Sequence, residues 1–234
     1  MINILAVGAH PDDLEILMGG TLARYAARGD KVFMASLTNG NMGHPRYTPQ
    51  DMAAIRREEM ARSAALIGAE PVWMGVDDEM SEVSLAARLK MVDVLRYARP
   101  DVIFTHGPGD YHVDHRNCGQ LVFEAAPLAC VSNIKRSLPA LGRQPLIYHM
   151  DNLGGIGFEP GEFVDISEAM ETKQKMFLCH QSQASWMQEA TGFDFCDVIQ
   201  TCAKFRGYHA GVRYAEAFRR VDAWYRGTTA RVLP

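Results

Sequence analysis

The first half of the chain alternates short apolar runs with longer stretches of helical spacing. The apolar runs cover residues 2–9, 31–37, 72–74 and 101–105. Four other stretches have apolar residues at the spacing of a helix. They cover residues 14–28, 51–67, a stretch that begins at Ser84 and ends at Pro100, and 115–126, and Asp51 is a possible cap of the second. Strands alternating with helices at this spacing predict βαβ units and a parallel sheet.

The second half is less regular. Residues 146–150 and 163–166 have the pattern of strands, residues 154–157 that of a loop, and a helix is predicted from Ser167 to about Gln181. Residues 204–234 carry seven basic residues against two acidic ones. Such a charge run is typical of a solvated helix face or a subunit contact, with a site for an anionic substrate group as the alternative.

Composition narrows the class of protein. At 234 residues and 47% hydrophobic residues, the chain is expected to form one α/β domain over 1–234 with a sizeable core. The net charge of −4 excludes a globally basic nucleic-acid binder. The first residues have the pattern of a strand rather than a signal peptide, and no apolar run is long enough to cross a membrane. We therefore expect a cytoplasmic protein without nucleic-acid or membrane partners.

Ionisable residues cluster after two of the predicted strands. The clusters are His10, Asp12, Asp13 and Glu15 after the first run, and His106, Asp110, His112, Asp114 and His115 after the fourth. Because open α/β sheets bind ligands beyond the carboxyl ends of their strands, we expect both clusters to line one crevice.

Each of these residues also has an ordinary structural interpretation. Asp12 and Asp13 suit the first turn of a helix, and Asp114 suits an N-cap. His10 could be a buried histidine of the core. Together, however, these roles would place several carboxylates at buried strand ends, which is costly without a partner. A bound cation resolves that conflict.

The types of residue at these strand ends exclude one ligand and leave two metals open. A dinucleotide fingerprint requires glycine where His10 and Asp13 stand, and carboxylates there would repel phosphate. Two imidazoles and a carboxylate suit zinc with an open position for water. The spacing His10-x-Asp12 with a later histidine also matches the triad of non-haem iron(II) oxygenases. Those are usually jelly-roll proteins, so the strand–helix alternation argues against them by analogy.

Two motifs carry a family resemblance. His10-Pro11-Asp12-Asp13-x-Glu15 with Gly19-Gly20, followed by His112-x-Asp114-His115, resembles the LmbE/PIG-L family of metal-dependent N-deacetylases. Weaker matches are Arg56-x-x-Glu59, Asp165-Ile166-Ser167, Lys175 before His180-x-Ser182-Gln183, and Tyr214-Ala215-Glu216-Ala217-Phe218. The resemblance covers nearly the whole chain. It is greatest to the bacterial branch that acts on N-acetylglucosaminyl conjugates, including those of the bacillithiol pathway.

The resemblance implies a Rossmann-like three-layer fold with a mostly parallel sheet. It also implies a zinc-dependent hydrolase that removes the acetyl group from an N-acetylglucosamine-type sugar or conjugate and releases acetate. Fe²⁺ or another divalent metal is possible, and a trimer or hexamer is expected. The alternatives are a non-haem iron(II) oxygenase and a metal-dependent sugar-binding protein without turnover.

Site residues follow from the matching positions. The resemblance implies that His10, Asp13 and His115 bind the metal, that Asp12 is the general base, and that His112 is an electrostatic partner oriented by Asp114. Arg56 is implied to bind substrate, whereas its spacing to Glu59 alone would indicate an ordinary ion pair within a helix.

Overall fold

The computed structural model describes residues 1–221 and 233–234, and within them a seven-stranded sheet lies between two helical layers. The strands are β1 (Asn3–Gly8), β2 (Lys31–Thr38), β3 (Glu70–Val76), β4 (Val102–Thr105), β5 (Leu146–Met150), β6 (Glu162–Asp165) and β7 (Ala215–Arg220). The helices are α1 (Asp13–Ala27), α2 (Pro49–Leu66), α3 (Leu85–Ala98), α4 (Val113–Ala129), α5 (Met170–Leu178), α6 (Gln181–Thr191) and α7 (Phe195–Ala210). The predicted α/β fold with a mostly parallel sheet is confirmed, since β7 alone runs opposite to the other six described strands.

Apolar side chains on both faces of the strands create two cores. In β1, Ile4 and Ala6 pack towards α1, α2, α5 and α7, whereas Leu5 and Val7 pack towards α3 and α4. Strands buried on both faces form nearly continuous apolar runs, which is the pattern that made them predictable.

The sheet order places the two ionisable clusters together. It runs β3-β2-β1-β4-β5-β7-β6, so the chain leaves β1 in one direction and returns to pair β4 on its other side. Val7 of β1 pairs with Thr105 of β4, so the segments that follow the two strands begin side by side. This is the switch point at which open α/β sheets bind ligands.

Two helix boundaries differ from the sequence prediction. The side chain of Thr48, not of Asp51, caps α2, because its oxygen accepts a hydrogen bond from the Asp51 backbone N–H. The helix predicted from Ser167 to about Gln181 corresponds to α5 alone, which ends at Leu178, and α6 begins where the prediction ended. The break between the two helices lies at His180, which has a non-helical backbone and places its buried Nε2 3.1 Å from Glu15 Oε1.

The basic C-terminal stretch is not one solvated helix face. Arg206 of α7 is buried, and its Nε lies 2.5 Å from Asp151 Oδ2. Farther along the stretch, β7 inserts between β5 and β6. The predicted contributions of Arg226 and Arg231 lie outside the described residues. None of the helices in the described part of the chain combines the length and apolar character of a membrane span.

Gly119 allows α4 to pack against the end of β4. A Cβ atom at Gly119 would lie 2.2 Å from the carbonyl oxygen of His106. We expect Gly119→Ala to force α4 away from β4 and to destabilise the fold by about 1–3 kcal/mol. For a chain of this length each kcal/mol lowers Tm by roughly 2–4 °C. The matched control is Gly142→Ala, since a Cβ there meets nothing within 4 Å. Equal melting temperatures for the two variants in calorimetry would contradict this account.

Candidate metal centre and active site

The three predicted metal ligands converge on one point. His10 follows β1, Asp13 begins α1, and His115 lies in the first turn of α4. His115 Nε2 lies 3.2 Å from His10 Nδ1 and 3.3 Å from Asp13 Oδ1, and His10 Nδ1 lies 3.5 Å from Asp13 Oδ2. Tetrahedral zinc with bonds of ~2.0–2.1 Å requires ligand atoms about 3.4 Å apart. The donor types suit zinc, and the separations are close to those of a tetrahedral site, with the two distances to Asp13 measured to its two different oxygens.

Each candidate histidine ligand has a carboxylate behind it. Asp78 Oδ1 lies 3.0 Å from His10 Nε2, and Asp110 Oδ1 lies 3.0 Å from His115 Nδ1. Such carboxylates fix the tautomer and the ring orientation of metal-binding imidazoles. They leave His10 Nδ1 and His115 Nε2 directed at the common centre.

Asp78 and Asp110 are not among the ligands or catalytic residues that the sequence predicts. Asp110 lies within the second ionisable cluster, and Asp78 lies in the acidic run 77–79 that follows β3. Asp78 lies beyond the carboxyl end of the third strand, where open α/β sheets also bind ligands. Asp78 is therefore indicated in the same way as the clusters after the first and fourth strands.

The Asp13 carboxylate is held by the backbone and lies beside a buried imidazole. Its Oδ2 accepts a hydrogen bond from the His10 backbone N–H at 2.7 Å and lies 3.0 Å from Nε2 of the fully buried His106, a nitrogen that also accepts the Ala9 backbone N–H at 3.1 Å. Burial alone would raise the pKa of the Asp13 carboxyl, but His115, His10 and His106 hold that pKa well below its usual range. Asp13 therefore stays ionised, as a metal ligand must.

The electrostatic field of the site favours a cation. Burial would lower the pKa of His115, yet Asp13 and Asp110 raise it to about 9. The pKa of His10 is raised well above its usual value, against burial, by Asp13, Asp114 and Asp78. Carboxylates that stabilise protonated imidazoles to this extent also attract a metal ion that replaces those protons.

Asp12 and Arg56 form a buried ion pair beside the three ligands. Asp12 Oδ1 lies 3.0 Å from Arg56 Nη2, and both side chains are buried. Glu59 is farther from the guanidinium, at 3.8 Å, and it accepts hydrogen bonds from the backbone N–H and hydroxyl of Ser182. Arg56 therefore pairs chiefly with Asp12 rather than along its own helix. Its Nε and Nη1 have no hydrogen-bond partner among the described residues.

His112 and Asp114 do not interact in the expected way. His112 is the N-cap of α4, because its Nδ1 accepts the Asp114 backbone N–H at 3.2 Å. The Asp114 carboxylate accepts hydrogen bonds from Ser81 and from the Glu79 backbone N–H, and it lies 3.5 Å from His10 Nε2. The carboxylate beside His112 Nε2 is that of Glu79, at 3.1 Å. Asp114 thus holds the His10 side of the site, and Glu79 takes the position expected for Asp114.

A cavity of about 230 Å³ brings most of the predicted side chains to one surface. It is lined by His10, Asp12, Asp13, Arg56, His112 and His115 on its polar side, and by Ile16, Leu17, Leu153, Met187 and Phe195 on its apolar side. Asp114 is fully buried and does not line it. A larger cavity of about 390 Å³ has none of the predicted site residues among its lining. Convergent polar groups, rather than volume, identify the smaller cavity as the candidate active site.

Asp110 provides a test of the metal centre. We expect Asp110→Asn to weaken zinc affinity by ~10–100-fold, because the imidazole of His115 loses its charged partner. Competition with a chromophoric chelator measures the dissociation constant. The control is Asp93→Asn on α3, which breaks an ion pair with Arg136 and should leave zinc affinity unchanged. Equal zinc affinity in the Asp110 variant and the wild type would remove Asp110 from this role.

Comparison with known proteins places the chain in a family. The profile of the PIG-L family, described as GlcNAc-PI de-N-acetylase, matches residues 5–126. The diacetylchitobiose deacetylase of Thermococcus kodakarensis is 31% identical over 229 residues, which cover 94% of this chain and 83% of the relative.

Solved structures agree with this fold. The N,N′-diacetylchitobiose deacetylase of Pyrococcus horikoshii superposes with a TM-score of 0.82 at 30% identity, over 93% of this chain and 83% of that one. GalB of Pseudomonas putida, a 4-carboxy-2-hydroxymuconate hydratase, superposes with a TM-score of 0.83 over 98% of this chain and all of its own. At 22% identity GalB shows the fold alone. The resemblance carried by the two motifs is confirmed, and the chain belongs to the PIG-L family.

Proposed function

We propose that this protein is a zinc-dependent hydrolase that removes the acetyl group from an N-acetylglucosamine-type sugar or conjugate, producing acetate and a free amine. One observation carries the proposal: the two imidazole nitrogens of His10 and His115 lie 3.2 Å apart, and each lies within 3.5 Å of an oxygen of the Asp13 carboxylate, in the cavity that Asp12 also lines. Ligands and base are thus side by side where an acetamide can enter.

Asp12 is the proposed base. Zinc held by His10, Asp13 and His115 would supply a Lewis acid that makes a water molecule easier to deprotonate. A carboxylate is therefore a sufficient acceptor for the proton. Arg56 fixes the direction of the Asp12 carboxylate through its contact with Oδ1, which leaves Oδ2 for the proton.

His112 is the proposed donor to the amide oxygen. Because its Nδ1 accepts the Asp114 backbone N–H, a proton on the neutral ring must lie on Nε2. The residue lines the cavity, and Nε2 lies 3.1 Å from Glu79 Oε1, so the carbonyl oxygen of the substrate would replace Glu79 as the acceptor of this proton. As water adds to the acetamide, its carbonyl oxygen gains negative charge that an N–H donor stabilises.

The unpaired N–H groups of Arg56 favour an oxygen-rich substrate. Buried polar groups without partners are uncommon, and two nitrogens of Arg56, a residue of the cavity lining, have no hydrogen-bond partner among the described residues. Sugar hydroxyl oxygens supply the missing acceptors. The names of the two archaeal relatives also refer to an N-acetylated amino sugar.

A screen of the purified zinc-loaded protein separates this function from its alternatives. N-acetylglucosamine, diacetylchitobiose and N-acetylglucosaminyl conjugates are assayed for amine and acetate, and the metal content is measured in parallel. Equimolar amine and acetate support the proposal. Oxygen consumption with bound iron would indicate an oxygenase, and binding without products a sugar-binding protein. Loss of absorbance from an unsaturated dicarboxylate would indicate a hydratase such as GalB.

Asp12 and Asp13 have identical chemistry and different proposed roles. We expect Asp12→Asn to retain zinc and to lose ~10²–10⁴-fold in kcat, because its amide cannot accept the proton. Asp13→Asn should lose zinc affinity first and recover partly at high zinc. Zinc content and kcat are measured for both variants side by side. The reverse outcome would exchange the roles and favour the iron-type triad of His10-x-Asp12.

Arg56→Ala should affect both kinetic constants. Loss of contacts to substrate raises KM, and loss of the Asp12 contact lowers kcat. A hydrogen bond to a charged group is worth about 1.5–3 kcal/mol, so kcat/KM should fall by at least about tenfold. Arg62→Ala, on the exposed side of the same helix, is the control. Unchanged kcat and KM in the Arg56 variant would leave Arg56 with a structural role only.

A further inference from the structure

Helix α1 is bent one turn after the candidate ligand Asp13. Met18 has φ −146° and ψ 17°, values outside the helical region, so α1 consists of a first turn and a second, longer stretch. In a straight helix the N–H groups of Gly20 and Thr21 would bond to carbonyls four residues earlier. Here they donate instead to Glu216 Oε1 at 3.0 Å and Oε2 at 2.7 Å. The carboxylate of Glu216 therefore caps the second stretch as an N-cap side chain would.

Glu216 reaches this position from β7, near the other end of the chain. Its side chain is 2% exposed and forms an ion pair with Lys173 of α5, which is equally buried. The two glycines of the motif allow the close approach. A Cβ at Gly20 would lie 2.7 Å from Ile166 Cβ, and one at Gly19 would lie 3.2 Å from Lys173 Cγ.

Only the first turn of α1 separates this ion pair from the candidate active site. Ile16 and Leu17 line the active-site cavity on one side. On their other side they line a small cavity of about 30 Å³ together with Lys173 and Glu216. A shift at the bend is thus transmitted directly to the turn that carries Asp13.

We propose that Glu216 is a positioning residue for the metal centre: by accepting the two N–H groups beyond Met18, its carboxylate holds the bend that aims the first turn of α1. Without this acceptor, the N–H groups of Gly20 and Thr21 regain the carbonyls of Ile16 and Leu17 as partners. The helix then straightens and turns Asp13 away from His10 and His115. The inference rests on the proposed metal role of Asp13.

The capping contact and the ion pair make different demands on Glu216, so variants can separate them. Glu216→Asp retains the charge for Lys173 but withdraws both oxygens from the two N–H groups by the length of one methylene. Lys173→Met removes the ion pair and leaves the carboxylate on the N–H groups. Arg96→Met, which removes a buried cation bonded to four carbonyls on the opposite face of the sheet, is the control for destabilisation alone.

Zinc dissociation constants, visible spectra of the Co²⁺-loaded proteins and amide hydrogen exchange are measured on the folded proteins, together with Tm. We expect Glu216→Asp to weaken zinc binding by at least about tenfold, as loss of supporting contacts around a metal site does. It should also alter the cobalt spectrum and accelerate exchange at Gly20 and Thr21. Lys173→Met and Arg96→Met should lower Tm and change zinc affinity by less than about threefold.

Two results would overturn the inference. One is wild-type zinc affinity and cobalt spectrum in Glu216→Asp despite a lowered Tm. The other is an equal loss of zinc affinity in Lys173→Met, which would assign the effect to general packing. Failure of the proposed metal site itself is distinguishable, because the wild-type protein would then bind no zinc, whereas exchange at Gly20 and Thr21 would still report the cap.

Discussion

The pairing of β1 with β4 is the constraint on which the candidate site depends. Because the chain winds away from β1 to one side and returns on the other, the segments after these two strands share one edge of the sheet without a helix between them. One segment supplies His10 and Asp13, and the other supplies His115. Among the described strands, this pair lies at the switch point at which open α/β sheets bind ligands.

Charge balance at that edge explains why so many carboxylates are tolerated there. Each carboxylate lies beside an imidazole, a guanidinium or a backbone N–H group. Asp78 pairs with His10, Asp110 with His115, Asp12 with Arg56, and Asp114 with the Glu79 N–H. An unpaired carboxylate in such a place would be costly. The remaining excess of negative charge raises the pKa values of His10 and His115, and a divalent cation would take the place of those protons.

The features of the fold that depend on residues close together in the sequence were predicted from its patterns. The apolar runs predicted the parallel strands, and Ser84 was placed correctly as the residue that leads α3. The positions of the two ionisable clusters at strand ends predicted that they meet, whereas the choice of His10, Asp13 and His115 as ligands came from the family resemblance. Contacts distant in sequence determine the rest. The bend in α1 requires Glu216 from β7, and the break before α6 coincides with the approach of His180 to Glu15.

The carboxylates that lie beside His10 and His112 were not predicted from the sequence, because they are distant along the chain. Asp78 and Glu79 follow β3, and neither has a fixed spacing to the histidine that it contacts. The Asp114 carboxylate accepts hydrogen bonds from Ser81 and the Glu79 backbone N–H rather than from His112, because a motif fixes the order of residues but not the direction of a carboxylate. The predicted trimer or hexamer depends on surfaces between copies, which the fold of one chain does not determine.

A crystal structure of the zinc-soaked protein, with anomalous diffraction recorded on both sides of the zinc edge, tests the central claim most directly. The account predicts one zinc peak within about 2.0–2.2 Å of His10 Nδ1, an Asp13 carboxylate oxygen and His115 Nε2. A peak bound instead by Glu79, His112 and Asp114, or no peak at this edge of the sheet in zinc-saturated crystals, would contradict it.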